Sequence, residues 1–72
     1  METRIFDRSV TVLTTDGNHE EIFNRGERVK NITRIGTRVM FEPVNRRRVA
    51  GTYAMGWNEF ETNTTMVGEA GA

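Results

Sequence analysis

From Gly26 to Val44 the chain reads Gly26-Glu27-Arg28-Val29-Lys30-Asn31-Ile32-Thr33-Arg34-Ile35-Gly36-Thr37-Arg38-Val39-Met40-Phe41-Glu42-Pro43-Val44, a β-favouring run with one interruption at Arg34-Ile35-Gly36. A three-residue hairpin loop at those positions, with Gly36 in the left-handed conformation, folds the run back on itself. Thr33 then faces Thr37, Asn31 meets Val39, Val29 meets Phe41 and Arg28 meets Glu42, which supplies one aromatic/β-branched pair and one opposite-charge pair. A two-residue loop that sets Lys30 against Phe41 and Val29 against Glu42 pairs worse, and a slip of one residue moves every side chain to the other face. The favoured register expects Val29, Val39 and Phe41 on a buried face. It places Arg28, Lys30, Arg38 and Glu42 with Ile32 and Met40 on an amphipathic, basic one.

The same alternation extends to both sides. Pro43 lacks a backbone donor and fits the edge or end of a strand. A loop at Asn45-Arg46-Arg47 sets Val39 opposite Tyr53 and Phe41 opposite Gly51, and it adds Val49, Tyr53 and Met55 to the apolar face. Upstream, Arg8 to Thr15 is the first strand expected, and Asp16-Gly17 is a strong hairpin signal that returns the chain from Asn18 to Phe23. Two registers serve that hairpin, Val10 opposite Phe23 or Val12 opposite Ile22. Asn24-Arg25-Gly26 is the next turn. After Met55 the alternation stops; Trp57-Asn58-Glu59-Phe60 reads as a turn that closes the end of a barrel, and Thr62 to Met66 as a short last strand.

Five or six short strands with turn signals between them, and no helical period, specify an all-β chain: a small antiparallel meander curled into an SH3-like barrel. One domain is expected over residues 1–67, with 68–72 a flexible C-terminal tail. At 72 residues a single core is marginal, and with no cysteine the chain has no disulfide to help it. Self-association or docking is the remaining support. The start of the chain lacks the apolar core of a signal peptide, so a cytoplasmic protein, or part of a virion assembled in the cytoplasm, is the expectation.

A net charge of zero conceals an uneven distribution. Arg4 and Arg8 stand against Glu2, Asp7, Asp16, Glu20 and Glu21 in residues 1–23, while residues 49–72 carry Glu59, Glu61 and Glu69 and no Lys or Arg. Between them Arg25, Arg28, Lys30, Arg34, Arg38, Arg46, Arg47 and Arg48 face Glu27 and Glu42 alone. Acidic ends around a basic middle suit contact between copies.

Chemistry-bearing signatures are thin. His19 beside Glu20 and Glu21 lacks a metal-ligand spacing, and Ser9 has no base or oxyanion loop to activate it. No catalytic residue, metal site, cofactor, small-molecule substrate or membrane contact is expected, and the chain reads as a non-enzyme. The residues suited to a partner are Arg38, Arg46, Arg47, Arg48 and Trp57: guanidiniums pair bidentately with carboxylate or phosphate, and Trp and Arg dominate interface energetics. The expected function is a small binding or assembly module that docks onto itself or a larger protein complex, of the kind a virus or mobile element uses as an accessory. The alternative is a nucleic-acid-binding regulator that grips phosphates through Arg46 to Arg48. Against it stand the neutral overall balance and the lack of aromatic residues interleaved with the arginines.

Overall fold

The computed structural model describes residues 2–45 and 51–69. They form seven strands and one short helix: β1 (Glu2–Phe6), β2 (Val10–Thr14), β3 (Glu20–Phe23), β4 (Arg28–Ile35), β5 (Arg38–Pro43), β6 (Tyr53–Gly56), α1 (Trp57–Asn63) and β7 (Thr64–Glu69). All strands join one antiparallel sheet in the order β3-β2-β6-β5-β4-β1-β7, curled as a half-barrel. The all-β, barrel-like expectation therefore holds, with more strands than the five or six expected. The meander is restricted to β4, β5 and β6, since β1 lies between β4 and β7 and β2 lies beside β6.

Burial follows the period of two. Phe6, Val12, Phe23, Val29, Val39, Phe41, Tyr53, Met55 and Phe60 make the core, and Val29, Val39, Phe41 and Tyr53 are the expected inner face. Val49, expected with them, lies outside the described residues. Five rings hold the centre: Phe41 stacks on Phe60 at 5.1 Å and meets Phe23 edge-on at 5.7 Å, while Phe23 meets Tyr53 at 5.0 Å and Phe6 at 5.3 Å. Such tilted and offset arrangements let the ring quadrupoles attract as well as bury area.

Several local expectations are corrected. The central hairpin pairs Ile35 with Arg38, so its loop is Gly36-Thr37 rather than Arg34-Ile35-Gly36. Gly36 has a φ of 61° and Thr37 is not among the positive-φ residues, the pattern of a two-residue loop with glycine first. Farther from the loop Lys30 faces Glu42 and Val29 faces Pro43, because a bulge at Asn31-Ile32 adds a residue to β4. Between β5 and β6 the register is Val39 to Met55 and Phe41 to Tyr53, two residues from the expected pairing, so the same faces stay buried. In the first hairpin Val10 faces Phe23, the first of the two registers the sequence allowed.

The chain's start forms a strand, ahead of the first one expected at Arg8 to Thr15. β1 carries the core residue Phe6 and pairs with both β4 and β7. At the other end, Trp57 to Asn63 is a helix of seven residues rather than a closing turn, and the last strand begins at Thr64 and runs to Glu69. The helix ends without glycine because side chains take up its last carbonyls: Asn63 Nδ2 donates to Glu59 O at 2.8 Å and Thr64 Oγ1 to Phe60 O at 2.6 Å. Asp7 N then donates to Asn63 O at 2.8 Å, which starts the β1–β7 ladder.

Candidate interaction surface

The convex side of the sheet is set by the strand period. Where Val12, Val39 and Tyr53 point inward, their neighbours Leu13, Met40 and Ala54 point outward. Cross-strand pairing then lines them up, since Leu13 lies opposite Ala54, Ala54 opposite Met40, and Met40 opposite Thr33. Ile35, two residues beyond Thr33 on the same face, is 60% exposed, and Leu13 is 43% exposed. Directly paired side chains stand about 5 Å apart and diagonal ones about 7 Å. Leu13, Ala54, Met40 and Ile35 thus form an apolar stripe across β2, β6, β5 and β4.

The stripe has unlike charges at its two ends. Glu20 lies opposite Leu13, and Arg38 lies opposite Ile35; both are exposed. The surrounding hairpins carry the same bias. β2–β3 holds Asp16, Glu20 and Glu21 with no Lys or Arg, whereas β4–β5 holds Arg28, Lys30, Arg34 and Arg38 against Glu42. On the outward face itself this leaves Glu20 on β3 and Arg28, Lys30 and Arg38 with Glu42 on β4 and β5, since Glu21 lies opposite the buried Val12 and Arg34 opposite the buried Val39.

The sheet's last strands are poorly shaped for adding another strand. β7 contains a bulge between its pairs with Thr3 and Arg4, and β3 is four residues long with Glu20 and Glu21 along it. Short, charged or bulged strands are the usual protection of a sheet edge. The edges being protected, the convex face is the candidate surface.

Of the residues expected to meet a partner, Arg38 lies on this face. Arg46, Arg47 and Arg48 lie outside the described residues. Trp57 lies elsewhere: it is half-buried, packed against the core, and tilted against Phe60 at 6.0 Å. The Arg34 guanidinium carbon lies 4.7 Å from its ring centroid and that of Arg4 5.5 Å. Arg4 is held there by Glu2 at 2.8 Å. The chain's own cations occupy the aromatic surface that a partner's cation would seek. Leu13, Ile35 and Glu20 were missed because alternation marks a face as outward without telling which strands adjoin.

Compared with known proteins, the chain matches no family model, no curated protein and no solved structure. The reading of function rests on the surface alone.

Chemical groups elsewhere are few. Among the described residues no three His, Cys, Asp or Glu side chains gather as metal ligands. Ser9 is exposed, with its hydroxyl 3.4 Å from Asn24 Oδ1, and His19 is exposed with its carbonyl accepting from Thr14 N. Donation from the Thr14 hydroxyl, then from the Asn18 N–H, holds the Asp16 carboxyl below the usual 3.8. These bonds brace a turn. No helix among the described residues is long and apolar enough to cross a membrane.

Proposed function

We propose that this protein is a non-enzymatic docking module whose working surface is the convex face of the sheet. The observation that carries the reading is the Leu13–Ala54–Met40–Ile35 stripe, an apolar band on a solvent-facing side with charged residues at its margin. Burial of such a band against another protein is favourable in proportion to the apolar area covered, and a charged margin sets orientation and partner choice. A virus or mobile element that builds assemblies from small chains is a setting this surface suits.

The test compares the tagged wild type with a Leu13→Lys/Ile35→Lys variant in the protein's own cellular context. Because both residues are exposed, the variant should keep its fold and thermal transition. Proteins that co-isolate with the wild type should be lost from the variant, and nucleic acid should be absent from both. Undiminished association by the variant would count against the proposal. So would salt-sensitive nucleic-acid binding abolished by replacing Arg46, Arg47 and Arg48, which would make phosphate contact the main activity.

A further inference from the structure

We infer that the partner on the convex face is a second copy of this chain, related by a two-fold axis that lies in the contact and crosses the stripe. The inference rests on the proposed docking role of that face and names its occupant. A two-fold interface must be complementary to itself. This face meets that condition at the ends of the apolar band, where Glu20 lies opposite Leu13 and Arg38 lies opposite Ile35. Rotation sets the Leu13 end of one copy against the Ile35 end of the other, and brings Glu20 of each copy toward Arg38 of its partner.

Two other features agree with this choice. A long polyanion would meet Glu20 at one end of the stripe and be repelled, while a second copy presents a cation there. Ala54, near the middle of the band, is small enough for two convex sheets to approach closely. Convex surfaces touch over a limited area, so the contact belongs to the small, transient class and depends on concentration.

Charge reversal tests the arrangement, with sedimentation equilibrium at low salt as the readout. Glu20→Arg alone sets like charges against Arg38, and Arg38→Glu alone sets them against Glu20; each should weaken dimerisation by about tenfold. The double variant, E20R with R38E, restores both contacts, and so does an equimolar mixture of the two single variants. Both should return to within about threefold of the wild type. Since Glu20 and Arg38 are exposed, loss of fold does not explain a rescue by exchange. A wild type that remains monomeric up to roughly 1 mM would overturn the inference. Single variants that dimerise like the wild type, or a double variant that stays as weak as the singles, would overturn it too. Any of these results leaves the docking role of the face to be decided by the Leu13 and Ile35 variant, so the two ideas fail separately.

Discussion

Asn31 adopts a left-handed backbone conformation, φ 53°, and its side-chain amide donates to Glu42 Oε1 on the neighbouring strand at 3.3 Å. This pair marks the bulge in β4. With Asn31 and Ile32 sharing the place opposite Phe41, the alternation of β4 is reset. Ile32, which strict alternation puts on the outer face, instead packs against the core. Beyond the bulge Arg34 takes the inner side, with Val39, where it reaches Trp57, and Thr33 and Ile35 turn outward. One residue of irregularity therefore creates both the Arg34–Trp57 contact and the Ile35 end of the apolar stripe.

Substitution at position 31 should report on that bulge. Glycine accepts the left-handed conformation without strain, so Asn31→Gly should lie within about 0.5 kcal/mol of the wild type despite the lost hydrogen bond. Asn31→Val places a β-branched side chain where it clashes, at a cost of about 1 to 2 kcal/mol. Urea denaturation of the three proteins measures the difference. A valine variant as stable as the wild type would show that the bulge is absent in solution.

What could be read from the sequence was the parity of buried positions; what could not was the order in which they join. Val29, Val39, Phe41, Tyr53 and Met55 keep their face under the actual registers, because the error between β5 and β6 was two residues and a shift by an even number preserves the face. In β4 the odd shift came from a bulge, and Asn31, a residue that tolerates positive φ, was its local sign. β1 was illegible because Glu2, Thr3 and Arg4 offer no apolar alternation before Ile5 and Phe6. Its strand state comes from pairing with β4 and β7, both distant in sequence. The apolar stripe was hidden for the same reason: Leu13 and Ala54 become neighbours through β2–β6 pairing, which no turn signal announces.

The aromatic centre should dominate stability. Phe41 is fully buried and lies within 6.4 Å, centroid to centroid, of Phe6, Phe23, Tyr53 and Phe60. Phe41→Ala removes this hub and leaves a cavity, at an expected cost of about 3 to 5 kcal/mol. That is comparable with the whole stability of a domain this small, so the variant should lose its near-ultraviolet circular dichroism. Retention of a cooperative transition near the wild-type midpoint would contradict the packing described.

Acid should loosen the first hairpin through Asp16. Its folded-state carboxyl titrates below the ordinary 3.8, chiefly because the charged form accepts from the Thr14 hydroxyl and then from Asn18 N–H. A depressed carboxyl contributes stability that is present above the unfolded value and is lost as the pH falls through the folded one. Asp16→Asn removes the charge with little change of shape. The stability gap between wild type and variant should therefore be widest above about pH 5 and close progressively below the ordinary carboxylate range. A titration midpoint for Asp16 at or above 3.8, followed by nuclear magnetic resonance, would remove the basis of this expectation.

Trp57 separates a structural aromatic residue from a binding one, and being the chain's one tryptophan it supplies its own optical signal. The Arg34 guanidinium over the ring should shield it from a collisional quencher while adding about 0.5 to 1 kcal/mol of cation–π attraction. Arg34→Ala should therefore raise acrylamide quenching of Trp57 fluorescence and lower stability by about that amount. Because Trp57 packs on the core while the apolar stripe lies on the convex face, Trp57→Leu should lower stability too, yet leave self-association of the folded fraction within about threefold of the wild type. Leu13→Lys should do the reverse, weakening association with the folding transition nearly unchanged. If Trp57→Leu instead abolished association while the chain stayed folded, the contact surface would have to be moved from the convex face to the end of the half-barrel where Arg4, Arg34 and Trp57 meet.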